Sequence, residues 1–185
     1  INAELVFNKE ILQLRFKYEH LIVITSDTLF VYLTFENLKK IKEVDIHGLK
    51  NGFYHQNLLD YPSIITYMGQ SIEFNKIKPV DSNIFIDNLS SQSMKILKIN
   101  DSPILDFKLN SKGTIIAVVI NKSNLIKIFD CQTLELYKVL AKDSDILDSI
   151  CISFDYLDNW LIILNNKGFI YLWSLKYYNQ LFIKQ

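Results

Sequence analysis

The chain has 185 residues, of which 49% are hydrophobic, 22% charged and 13% aromatic, a globular composition long enough for a sizeable core. Twenty Lys and Arg balance 20 Asp and Glu, so the net charge is zero and a whole-domain electrostatic attraction to nucleic acid is excluded. Arg15 is the only arginine, and there are two cysteines and three histidines, which argues against forked phosphate recognition, a disulfide framework or an obvious zinc site.

In chain order, short β-branched or aromatic runs alternate with polar turns. Ile11 to Phe16, Leu21 to Thr25, Thr28 to Leu33 and Lys40 to Ile46 form the first set. Tyr18-Glu19-His20 and Ser26-Asp27 separate the first three runs, so His20 is expected at the surface of a turn. Lys39, Lys40, Lys42 and Glu43 suit a helix. Glu43-Val44-Asp45-Ile46 alternates polar and apolar instead, as an exposed outer strand does. Further on, Ser123 to Asp130 resembles Lys167 to Ser174, with Lys122 and Lys167 offset by 45 residues. An apolar strand precedes each (Ile115 to Ile120, Leu161 to Leu164), then a polar turn, then another strand (Ile104 to Leu109, Ser149 to Phe154).

A period of about 40–45 residues with four strands per unit is the propeller signature. The expected fold is all-β, a WD-type β-propeller of four-stranded antiparallel blades. Residues 1–185 form a single partial propeller with blades at 9–46, 53–100, 102–140 and 146–183. Glu4 to Phe7 is expected to be the outer strand of a preceding blade. The last blade's outer strand is weakly marked. Runs such as Ile115 to Ile120 lack alternation because a blade is covered on both faces by its neighbours. A lone half ring would leave two apolar faces uncovered. The chain begins with Ile1 and is expected to be part of a longer protein. A closed four-bladed ring is the lesser alternative.

Residues 110–130, NSKGTIIAVVINKSNLIKIFD, resemble the fifth blade of the PROPPIN (WIPI) family, seven-bladed phosphoinositide-binding propellers of autophagy. Residues 149–175 resemble its sixth blade, and residues 11–33 its third. The resemblance implies blades three to six and a phosphatidylinositol 3-phosphate site at a Phe-Arg-Arg-Gly motif between the fifth and sixth. Here that stretch reads Val139-Leu140-Ala141-Lys142, so both guanidiniums are replaced by apolar groups. Supporting positions differ too. The family's fifth-blade Ser and Thr fall on Ile120 and Asn124, and its Arg on Lys127. The sixth-blade Thr and His fall on Phe169 and Tyr171. Lys127, Asn124, Lys142 and Tyr171 are what remains of the lipid site. Asp143, Asp145 and Asp148 follow and would repel a phosphate.

Other groups carry less. The spacing of Asp143, Asp145 and Asp148 suggests calcium, but no glycine turn or closing glutamate follows. His47 and His55 read as loop residues, Cys131 as a turn residue and Cys151 as a small core residue. Lys17, Lys39, Lys40, Lys42 and Lys50 form a basic cluster, diluted by Glu36 and Glu43, that reads as a solvated face. Phe53, Tyr54, Tyr61, Tyr67 and Phe74 read as inter-blade packing. There is no catalytic triad, nucleophile elbow, phosphate loop or metal set, so no enzyme, cofactor or metal is expected. The apolar runs are far shorter than the about 18 residues of a membrane span. No signal peptide is visible, and a cytoplasmic location is the default.

The sequence therefore implies a non-enzymatic scaffold, autophagy or endomembrane related, with a degenerate lipid site. Its expected partners are proteins, reached through blade edges and loops, together with peripheral contact to endosomal or autophagic membranes. The alternative is a generic WD-repeat interaction subunit with no lipid binding.

Overall fold

The computed structural model describes residues 4–17, 19–35, 37–46, 54–56, 63–68, 83–99, 104–120, 125–141, 149–165 and 167–176. Every regular element among them is a strand. The first sheet is β1 (Ile11–Lys17), β2 (His20–Thr25), β3 (Thr28–Leu33) and β4 (Lys39–Asp45). The second is β5 (Tyr54–Gln56), β6 (Ile64–Met68), β7 (Asn83–Asn88) and β8 (Ser93–Lys98). The third is β9 (Ile104–Leu109), β10 (Ile115–Ile120), β11 (Leu125–Asp130) and β12 (Leu136–Ala141). The fourth shows β13 (Ser149–Phe154), β14 (Trp160–Asn165) and β15 (Ile170–Ser174). Each sheet is an antiparallel meander in chain order. The alternation in Glu43 to Ile46 is indeed that of a strand: β4 alternates exposed and half-buried positions and pairs with β3.

Polar residues at the strand ends close the hairpins, because a short side-chain oxygen takes up the amides the ladder leaves free. Asn110 Oδ1 accepts from the amides of Thr114 and Ile115 at 2.8 and 3.1 Å. In the next blade Asp155 Oδ1 does the same for Asn159 and Trp160 at 2.6 and 2.7 Å. Asn165 Oδ1 serves Lys167 and Phe169 at 3.0 and 2.9 Å. In this last turn Gly168 sits at φ 81°, a left-handed conformation that a side chain would strain.

The sheets stack face to face, and each seam between neighbours is apolar. Ile22, Ile24, Leu29 and Val31 of the first sheet cluster with Ile65, Tyr67 and Phe85 of the second. The opposite face of the second sheet carries Ile64, Ile84 and Ile86 onto Phe107, Ile116 and Val118 of the third. The third turns Ala117, Val119, Ile126 and Ile128 toward Ile152, Leu161, Ile163 and Trp173 of the fourth. The strands of the middle sheets thus bury both faces, which is why Ile116 through Ile120 show no alternation. Each fully buried Ile or Leu contributes about 1.5–3 kcal/mol, so the seams hold the blades together. β9 touches both β5 and β13, so corresponding first strands lie side by side along the stack.

Both outer faces of the stack expose apolar residues among the described residues. On the first sheet Leu12, Leu14 and Phe16 of β1 are exposed. On the fourth, Ile170 and Cys151 are exposed. Glu4 to Phe7 is not a strand, contrary to expectation. Its residues instead lie on the first sheet, where the Phe7 ring meets Phe30 at 5.3 Å and Tyr32 at 6.3 Å and Lys9 pairs with Asp27.

Several other expectations need correcting. His20 is buried, because it opens β2 and shares the inward face of Ile22 and Ile24. Cys151 is exposed, while Cys131, in its turn, is buried, and burial pushes its thiol up to about 12. The basic cluster is not a free solvated face. Lys17 is buried, Lys40 pairs with Glu43, and Lys42 reaches across the first seam to buried Asp87. Tyr67 does pack between blades, stacked on Phe85 at 5.4 Å. His47, Lys50, Phe53, Tyr61, Phe74, Asp143, Asp145 and Asp148 lie outside the described residues, as do the side chains of Tyr54 and His55.

Candidate anion-binding site

Of the four residues assigned to the degenerate lipid site, Asn124 and Lys142 lie outside the described residues. Lys127 and Tyr171 are both half-buried, but they face different seams. Lys127, on β11, stands in register between Val118 and Val139. Val118 in turn pairs with Phe107, so Lys127 is on the face that packs toward the second sheet. Tyr171, on β15, pairs with Ile163 and packs on the cluster joining the third and fourth sheets. Its ring stacks on Trp173 at 5.8 Å and lies 6.4 Å from Phe169. Both residues are already engaged within the chain.

Of the two residues matching the family's arginines, Leu140 and Ala141, the first is built into packing and the side chain of the second lies outside the described residues. Leu140 is 2% exposed and belongs to the apolar core between the third and fourth sheets. Val139, at the position of the motif's Phe, points to the other face and is exposed. Strand alternation sends adjacent residues to opposite faces, so a double-arginine pattern would reach both sides of β12. Here one side meets a core leucine, and no cation stands at that position.

Two carboxylates among the described residues of this seam are satisfied internally. Asp158, in the β13–β14 turn, accepts from the Ser111 amide at 3.0 Å, the Ser111 hydroxyl at 2.7 Å and the Asn110 side-chain amide at 3.0 Å. Its turn is thereby clamped onto the β9–β10 turn of the preceding blade. Asp106 on β9 accepts from the Phe107 amide at 2.8 Å. Burial is the main influence and pushes its carboxyl up to about 6, opposed by that amide, by Lys108 and by the Ile152 amide across the seam. Neither carboxylate favours a bound phosphate. Among the described residues no group of three or more His, Cys, Asp or Glu is placed to hold a metal. No helix among them is long and apolar enough to cross a membrane.

One functional candidate escapes the sequence reading. His20 lines a notch between the first and second sheets. The signal was present in the spacing of His20, Ile22 and Ile24, which places all three on one strand face.

Three four-stranded antiparallel meanders and one that shows three strands among the described residues, stacked in chain order through apolar seams, define a run of β-propeller blades. No family model matches the chain. Several known proteins are nonetheless similar to it. A curated relative, autophagy-related protein 18e of Arabidopsis thaliana, is 21% identical over 94% of this chain and 44% of its own length. The crystal structure of Kluyveromyces marxianus Hsv2 superposes with a TM-score of 0.72 at 18% identity, over 97% of this chain and 51% of that one. KlAtg21, solved with the coiled coil of AgAtg16, gives 0.75 at 20% identity, over 91% and 54%. The chain therefore spans about half the length of the proteins it matches.

Proposed function

We propose that the chain is a non-enzymatic, PROPPIN-like scaffold of autophagic or endosomal membranes, working on their cytoplasmic side through protein contacts. Its phosphatidylinositol 3-phosphate site is degenerate. The observation that carries this is Leu140, buried in an interblade core where the family pattern has an arginine. A headgroup with several negative charges needs preorganised donors to offset its desolvation. Lys127 and Lys142 are the cations left, and a lysine lacks the planar fork. The relationship to autophagy-related protein 18e and to KlAtg21 supports the autophagic setting, and the coiled coil solved with KlAtg21 supports protein partners.

The test is co-sedimentation with phosphatidylcholine vesicles, with and without phosphatidylinositol 3-phosphate. Equal pelleting of the wild type and of Lys127→Ala and Lys142→Ala is the expected result. Saturable micromolar binding that needs the 3-phosphate and is lost in either variant would refute the proposal.

A further inference from the structure

A notch opens where the β1–β2, β3–β4 and β7–β8 turns of the first two blades meet. It holds a cavity of about 240 Å³, with Leu33, Phe35 and Ile41 on its apolar side and Glu19, His20 and Ser90 on its polar side. Its walls are fixed by hydrogen bonds. The Thr34 amide and hydroxyl both donate to the Glu19 carbonyl, at 2.8 and 3.0 Å, which ties two turns of the first blade together. On the second blade Asn88 Oδ1 accepts from the amides of Ser90 and Ser91, each at 3.1 Å. The Ser63 amide donates to Ser90 Oγ at 2.9 Å.

Two buried side-chain polar atoms lack a hydrogen-bond partner among the described residues, His20 Nδ1 and Ser63 Oγ. Only His20 belongs to the cavity wall. His20, 2% exposed, lines it, whereas Ser63 lies behind Ser90, to which its backbone amide is bonded. Folded chains leave few buried polar groups unpaired, because each keeps its desolvation cost with nothing to offset it. The unpaired His20 nitrogen on the cavity wall marks a place for a ligand's polar group. Phe35 stands at the rim, 76% exposed, an apolar ring with no covering neighbour.

The cavity is smaller than the about 300–1,000 Å³ of small-molecule sites and has the scale of one large side chain. Its polar lining offers acceptors at Glu19, His20 and Ser90, and the Gln92 side-chain amide can accept or donate. Glu19 supplies a carboxylate. Burial pushes the His20 pKa down, so its imidazole is neutral and one ring nitrogen accepts. An acidic ligand would meet Glu19 and be repelled. An aromatic body fits Leu33 and Phe35, and an indole is donor-only.

We propose that this notch docks a segment of a partner protein that inserts one tryptophan side chain, its indole N–H given to an acceptor in the cavity, with lysine or arginine beside it facing Glu19. The inference rests on the scaffold reading for its kind of ligand. Vesicle binding reports on β11 and β12, whereas peptide binding reports on the first two blades, so the failure of one is distinguishable from the failure of the other.

The probes are two blocked pentapeptides, Gly-Lys-Trp-Lys-Gly and Gly-Glu-Trp-Glu-Gly, titrated into the full chain carrying ¹⁵N-labelled histidine. The His20 ring-nitrogen signal is assigned by its loss in His20→Phe. The lysine peptide is expected to shift that signal saturably, and the glutamate peptide to bind at least fivefold more weakly. Phe35→Ala is expected to weaken the lysine peptide at least fivefold, and Glu19→Gln about threefold, with unfolding curves unchanged in both. The absence of a saturable shift at millimolar lysine peptide overturns the proposal. Equal binding of the two peptides, or wild-type affinity in Phe35→Ala, does the same.

Discussion

The seam between the third and fourth blades and the notch between the first and second use polar residues in opposite ways. In the former, Asp158 takes three donors from Asn110 and Ser111, Asp106 is held by backbone amides, and Leu140 fills the core. Among the described residues these groups are committed to the joint itself. In the latter, the flanking Lys42–Asp87 pair closes one part of the seam while His20 Nδ1, on the wall of a cavity, has no partner among the described residues. The difference teaches that a blade junction is a fixed scaffold whose polar inventory decides its use: completed networks hold blades, and incomplete ones leave room for a partner.

Substitutions can break this contrast, the largest effect coming from the apolar part of the closed seam. Ile128 is fully buried there. Ile128→Ala should destabilise the chain by about 3–4 kcal/mol, read from urea unfolding. Lys42→Ala comes next, because it leaves the Asp87 carboxylate buried without its cation. A loss of about 2–3 kcal/mol is expected. An unchanged midpoint would show that the ion pair contributes nothing to the first seam.

Asp158→Ala should cost about 1–2 kcal/mol, since the buried Asn110 and Ser111 groups lose their acceptor. Hydrogen exchange should rise at the Ser111 amide while the notch around His20 keeps its protection. Asp106 adds a pH dependence. Its carboxyl titrates at about 6 in the folded chain against a usual 3.8, so the folded state takes up the proton first as pH falls. Stability therefore rises as pH drops from above 6 toward 4, and the cost of the charged form is complete above 6. Asp106→Asn keeps an acceptor for the Phe107 amide. It should raise stability by about 1–2 kcal/mol at pH 7.5 and make no difference at pH 4. The smallest effect belongs to Phe35→Ala, expected within about 0.5 kcal/mol of wild type because the ring is exposed.

Much of the architecture was legible from local pattern. The near-repeat of Ser123 to Asp130 in Lys167 to Ser174 becomes β11 and β15, third strands of their sheets. The two-sided burial of β10 was written in its unbroken apolar run. What was not legible depends on contacts between blades. The lysines of β4 looked solvated because sequence distance hides Asp87, 45 residues away in the chain and directly across the seam. His20 looked like a turn residue because its neighbours Tyr18 and Glu19 are polar, yet a strand beginning one residue earlier turns it inward. Cys151 looked buried by its place between two isoleucines. Strand parity put it on the outer face, opposite Ile152. For the lipid site, the missing arginines were plain in the sequence. That Lys127 and Tyr171 face separate seams required the register.

The most direct measurement is a titration of the soluble headgroup, inositol 1,3-bisphosphate, into ¹³C-methyl-labelled chain, following Leu140, Val139 and Ile126. Methyl shifts that stay unsaturated into the millimolar range are expected, because a leucine core offers no donors. Saturable micromolar shifts at these three residues would contradict the reading of this seam as a packed joint that has lost its anion site.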